Sequence, residues 1–70
     1  MSTYRFGKYK TWDGTSYYNI EKKTFFGWSE EKCWITSHVE GLIIVKEDSV
    51  AKSEMMESVD RLVKAGHTVL

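Results

Sequence analysis

Proline is absent from this 70-residue chain. No proline isomerisation can therefore limit folding. Cysteine occurs once, at Cys33. That excludes an intrachain disulfide framework, and a lone thiol suits a reducing compartment. The five glycines stand singly, so no glycine-rich phosphate loop exists. Net charge is lacking too, because ten basic and ten acidic side chains cancel. A strongly basic surface for duplex nucleic acid is thereby disfavoured. The longest apolar run, residues 42–45 (LIIV), is far too short to cross a bilayer. The first residues, MSTYRFGKYK, lack the apolar region of a signal peptide. These absences predict a cytoplasmic protein with no membrane partner.

What is present is aromatic. Three Trp, four Tyr and three Phe supply large buried areas per residue. The length makes one domain, residues 1–70. A chain this short buries only about 60% of its unfolded surface. Without disulfides, the remaining stabilising devices are dense aromatic packing and self-association, and a homodimer is expected as one outcome.

Hydrophobic patterning divides the chain. Residues 4–10 alternate and are rich in strand formers, with Tyr4 and Phe6 on one face. Tyr9 falls on the other face unless Gly7 is a bulge. Asp13-Gly14 is a turn signal that should close a first hairpin. Residues 15–23 form the second strand, with Tyr18 and Ile20 on one face and Tyr17, Asn19, Glu21 and Lys23 on the other. Thr24-Phe25-Phe26-Gly27 forms the second tip. A return strand runs from Trp28 to about Ser37, broken or bulged near Glu30-Glu31. After a turn at Glu40-Gly41, residues 42–46 (LIIVK) read as a strand buried on both faces. Asp48 or Ser49 should cap a helix over residues 50–65. Its apolar stripe is Ala51, Met55, Val59 and Leu62, widened by Met56 and Val63. Gly66 fits its C-terminal end. Residues 67–70 are either a last strand, parallel to 42–46, or a tail. The expected fold is α+β: a small, mainly antiparallel sheet of four to five strands packed on one helix.

The segment YYNIEKKTFFGW carries a resemblance. Tyr17, Tyr18, Ile20, Lys22, Lys23, Thr24, Phe25, Phe26, Gly27 and Trp28 resemble a hairpin found in small bacterial and phage-encoded proteins of unknown function. In those an aromatic strand, a basic pair and a glycine-tryptophan turn precede one helix. The resemblance implies a sheet-plus-helix fold and a phage or prophage setting. It carries no catalytic residue.

Catalytic chemistry has little support in the residues. Cys33 and His38 could in principle pair as nucleophile and base, but strand spacing puts them on opposite faces and no third group orients them. One Cys and two His fall short of the roughly four ligands of a structural zinc site. The expectation is a non-enzymatic protein with no cofactor and no metal.

The binding expectation comes from parity. One helix covers one face of a sheet. Assigning Tyr4, Phe6, Tyr18, Ile20, Cys33 and Ile35 to that face leaves Tyr9, Tyr17, Trp28 and Trp34 on the other, with Lys22 and Lys23 at the rim. Exposed aromatic clusters mark interaction surfaces. The leading reading is docking on another protein or on a second copy. A second reading is single-stranded nucleic acid, with bases stacked on the aromatics and lysines on phosphates. A third is purely structural: a bulge at Gly7 or Glu30-Glu31 flips the parity and turns these aromatics into core.

Overall fold

A computed structural model describes residues 1–37 and 45–70. The elements are β1 (Thr3–Lys10), β2 (Ser16–Thr24), β3 (Gly27–Ser37), α1 (Asp48–Lys64) and β4 (Thr68–Val69). The strands form one sheet in the order β3-β2-β1-β4. β1 and β3 each pair antiparallel with β2, and β4 pairs parallel with β1. α1 packs on one face. The architecture is the α+β arrangement that the patterning predicts.

Local chemistry explains the two hairpins. In the first, Gly14 takes φ 96°, a value costly for residues with a Cβ. Asp13 accepts from the Thr15 amide at 3.1 Å and from the Thr11 hydroxyl. The hydroxyl bond is the main reason its carboxyl sits below its ordinary pKa. In the second, Thr24 pairs with Gly27 across the two-residue tip Phe25-Phe26. Gly27 has φ 127°, and the Thr24 hydroxyl donates to its carbonyl at 2.9 Å.

The helix ends differ from each other. At the C-terminus, the Gly66 amide donates to the Val63 carbonyl at 3.0 Å and the His67 amide to the Leu62 carbonyl at 3.1 Å. With Gly66 at positive φ, this is a Schellman ending, as the glycine suggests. At the N-terminus, the expected side-chain cap is not formed. Glu47 occupies the cap position without a side-chain hydrogen bond. Asp48 instead accepts from the Tyr18 hydroxyl at 2.9 Å and from the Lys8 ammonium at 2.7 Å. The carboxylate that sequence assigns to capping therefore ties the helix start to two strands.

Tyr4, Tyr18, Ile20, Ala51, Met55 and Val59 form the core, with Phe6, Trp34, Leu62 and Val69 packed against it. The predicted helix stripe holds, but Met56 and Val63 do not extend it; both are largely exposed. The predicted strand at 42–46 lies mostly outside the described residues, as do His38 and Glu40-Gly41. Residues 45–46 form a bend, and the partner of the last strand is β1.

The molecule is flat, with Cα extents of 40 × 26 × 13 Å. Its radius of gyration is 13.0 Å, against about 11 Å for a compact chain of this length. Its accessible surface is 4967 Å², against roughly 4,500 Å² expected from its mass. A groove lies open beside the sheet, bounded by the C-terminal half of α1 and the middle of β3.

Candidate functional site

The pairing register assigns the paired strand residues to faces, with Glu31 and Thr36 of β3 skipped at two register shifts. Across β1 and β2, Tyr4 stands opposite Lys22, Phe6 opposite Ile20 and Lys8 opposite Tyr18. These residues share the helix side with the buried Tyr4, Tyr18 and Ile20. Arg5 opposite Glu21, Gly7 opposite Asn19 and Tyr9 opposite Tyr17 make the outer side. No register shift occurs at Gly7, so it is not a bulge. Its missing side chain has another use: a Cβ there would come within 3.3 Å of the Tyr9 hydroxyl. The Tyr9 ring folds back over the glycine.

β3 carries the correction. Ile20 pairs with Lys32, but Glu21 pairs with Glu30, so Glu31 is an extra residue. A bulge of one residue reverses the alternation on either side of it. Trp28 consequently lies on the outer side, opposite Lys23, while Trp34 lies on the helix side, opposite Tyr18, and packs against the core. Cys33 and Ile35, expected in the core, point outward beside Asn19 and Tyr17. Of the expected surface set, Tyr9, Tyr17, Trp28 and Lys23 lie on the outer face. Trp34 and Lys22 do not: the bulge turns Trp34 inward, and pairing with Tyr4 puts Lys22 on the helix side.

The outer face has two zones. Tyr9, Tyr17 and Ile35 form one cross-strand row, with the two tyrosine rings 5.9 Å apart. Tyr9 and Ile35 are 39% and 37% exposed, unusually open for large apolar side chains in register. Toward the Phe25-Phe26 tip the face becomes charged. Arg5 bonds Glu21 at 2.8 Å and lies 4.2 Å above the Trp28 ring. One guanidinium therefore serves an ion pair and a cation–π contact together. Asn19 sits between the zones, 4% exposed, and donates to Glu30 at 3.1 Å. Its Oδ1 is buried without a hydrogen-bond partner. Burial, then the charge of Glu30, raises the pKa of Tyr17.

Of the Cys33–His38 pair, only Cys33 lies among the described residues. The Cys33 thiol, though exposed, is pushed above its ordinary pKa by its packed neighbours and then by Glu30, which lowers its thiolate fraction. Among the described residues, no three His, Cys, Asp or Glu side chains converge as metal ligands.

Several exposed residues were not singled out by parity. Trp12 is 98% exposed in the first turn, and Phe25 and Phe26 are 96% and 95% exposed at the second. The Phe25 and Phe26 rings meet edge to face at 5.1 Å, so the tip presents one aromatic pair rather than two loose rings. The signal for Trp12 is its place beside Asp13-Gly14, because a side chain in a tight turn has no strand neighbour to cover it. Arg5 escapes a parity argument because its role depends on Trp28, a residue of another strand. No helix among the described residues is long and apolar enough to cross a membrane. No family model matches the chain, and no match was found among curated proteins or solved structures.

Proposed function

We propose that this chain is a small non-enzymatic protein-binding module that docks through the outer face of its sheet. The observation that carries the proposal is the row Tyr9–Tyr17–Ile35, in register on a face opposite the helix. Tyrosine supplies contact area at low entropic cost, and a polar rim around an apolar centre is the usual layout of an interface. Arg5, Lys23, Glu21 and Glu30 provide that rim with both signs of charge. A face balanced in this way is compatible with a second copy of itself, so a homodimer is the first partner to test. The resemblance of the β2–β3 hairpin suggests a bacterial or phage setting for the partner.

Single-stranded nucleic acid is the weaker reading. It needs exposed stacking platforms, yet Trp34 packs against the core and Arg5 already covers a face of Trp28.

Sedimentation equilibrium of the wild type and of Ile35→Asp tests the proposal. A dimer that Ile35→Asp converts to monomer supports docking through this row. A dimer unaffected by it places the interface elsewhere and rejects the row. If the wild type is a monomer, hydroxyl-radical labelling of Tyr9 and Tyr17 decides. Ready labelling leaves the face open for an external protein, whereas protection in the monomer overturns the proposal.

A further inference from the structure

The groove beside α1 lies on the opposite side of the sheet from the row just described. Its volume is about 380 Å³, near the lower end of small-molecule sites, which run from roughly 300 to 1,000 Å³. Its floor is apolar: Leu62 and Ala65 give it open surface, with the nearly buried Tyr4 and Ile20 behind them. Its rim is cationic and rich in donors. Lys32 comes from β3, Arg61 from α1 and His67 from the segment before β4.

The state of each rim group follows from its contacts. The Ser2 amide donates to Nδ1 of His67 at 3.1 Å. An amide can only donate, so Nδ1 accepts and Nε2 is the ring's remaining donor. Arg61 touches Glu57 at 3.5 Å, with both side chains more than 60% exposed. A contact that long and that wet yields readily to a better acceptor. Lys32 forms no ion pair with any described residue. Among the residues that line the groove, Glu31 is the one acid against Lys32 and Arg61; Glu57 flanks Arg61 outside the lining.

We propose that this groove binds a small apolar carboxylate, with its hydrocarbon body on Leu62 and Ala65 and the edge of Tyr4, and its carboxylate held by Lys32 and Arg61. The apolar floor selects against plain inorganic anions and the cationic rim against neutral hydrocarbons. The cavity is too small for a folded partner. The site shares no residue with the outer face, so it stands or falls separately from the docking proposal.

Isothermal titration of the full chain with decanoate tests it, with decanol and acetate as probes of each half of the chemistry. Arg61→Gln and Lys32→Gln remove the rim charges, and Lys52→Gln removes an equal charge elsewhere on the helix. The expected result is saturable one-to-one binding of decanoate, with decanol and acetate much weaker. Each rim variant should weaken binding roughly tenfold, the usual loss for one charge-assisted hydrogen bond, and Lys52→Gln should not. Unchanged melting temperatures of the three variants would show that folding is not the cause. Absence of saturable binding, decanol binding as tightly as decanoate, or equal loss in Lys52→Gln would each overturn the proposal.

Discussion

Trp28 and Trp34 lie six positions apart and would share a face in a regular strand. They lie on opposite faces because Glu31 is an added residue between them. Their substitution should therefore read differently. Trp34→Ala removes an aromatic packed on Tyr18 and the core, and a loss of about 2 kcal/mol or more is expected. Tyr9→Ala, on the open face, should cost under about 1 kcal/mol. Urea denaturation of both variants measures the contrast, and equal losses would contradict the face assignment. Asp48 offers a second test. Its hydrogen bonds from Lys8, then Tyr18, hold its carboxyl below the ordinary 3.8. A carboxyl lowered on folding contributes stability above its unfolded pKa and loses it as pH falls through the folded value. The stability curve of the wild type should thus fall on acidification below about pH 4. In Asp48→Asn that fall should be shallower. Asp13 is lowered as well, so part of it should remain.

At the scale of elements, legibility followed distance in sequence. Both hairpins and the helix C-terminus were readable because each depends on a glycine at positive φ beside residues that hydrogen-bond locally. The core face of β2 was readable for the same reason, since alternation is a neighbour-to-neighbour property. The outward face of β3 was not. Glu30-Glu31 announces an irregularity, but which residue becomes the extra one depends on the pairing with Glu21 and Ile20. The pairing of β4 with β1 joins opposite ends of the chain, and no local pattern encodes it. Asp48 was misread because capping is the nearest explanation of an acid at a helix start, whereas its partners, Lys8 and Tyr18, are far away in sequence. The bulge gives a direct prediction. Glu31→Ala keeps the extra residue and should be nearly neutral. Inserting a second residue beside Glu31 forces either Trp28 or Trp34 to change sides, and should destabilise by more than about 2 kcal/mol. Thermal melts of the two variants separate these outcomes. Gly27→Ala should cost about 1 kcal/mol or more, since its φ of 127° is strained for alanine.

For the whole molecule, the balance between core and surface matters most. Among the described residues the buried apolar set is six side chains, and only Ile20 is both large and fully buried. A chain of 70 residues has only a few kcal/mol of stability to lose. Ile20→Ala, at a typical cost of about 2–5 kcal/mol, should leave the chain mostly unfolded by circular dichroism at 25 °C. Among the described residues eleven large apolar side chains are exposed, Trp12, Phe25 and Phe26 almost fully.

The pairing of β4 with β1 has a topological consequence. The Thr68 amide donates to the Ser2 carbonyl at 3.0 Å and the Leu70 amide to the Tyr4 carbonyl at 2.9 Å, so the two ends of the chain lie side by side. A loop of a few glycines and serines can therefore connect residue 70 to residue 1. New termini can then be opened between Phe25 and Phe26, at an exposed tip where no strand pairing is cut. Such a circular permutant should keep the sheet order and melt cooperatively. The order in which the strands are threaded along the backbone is separable from the order in which they sit in space.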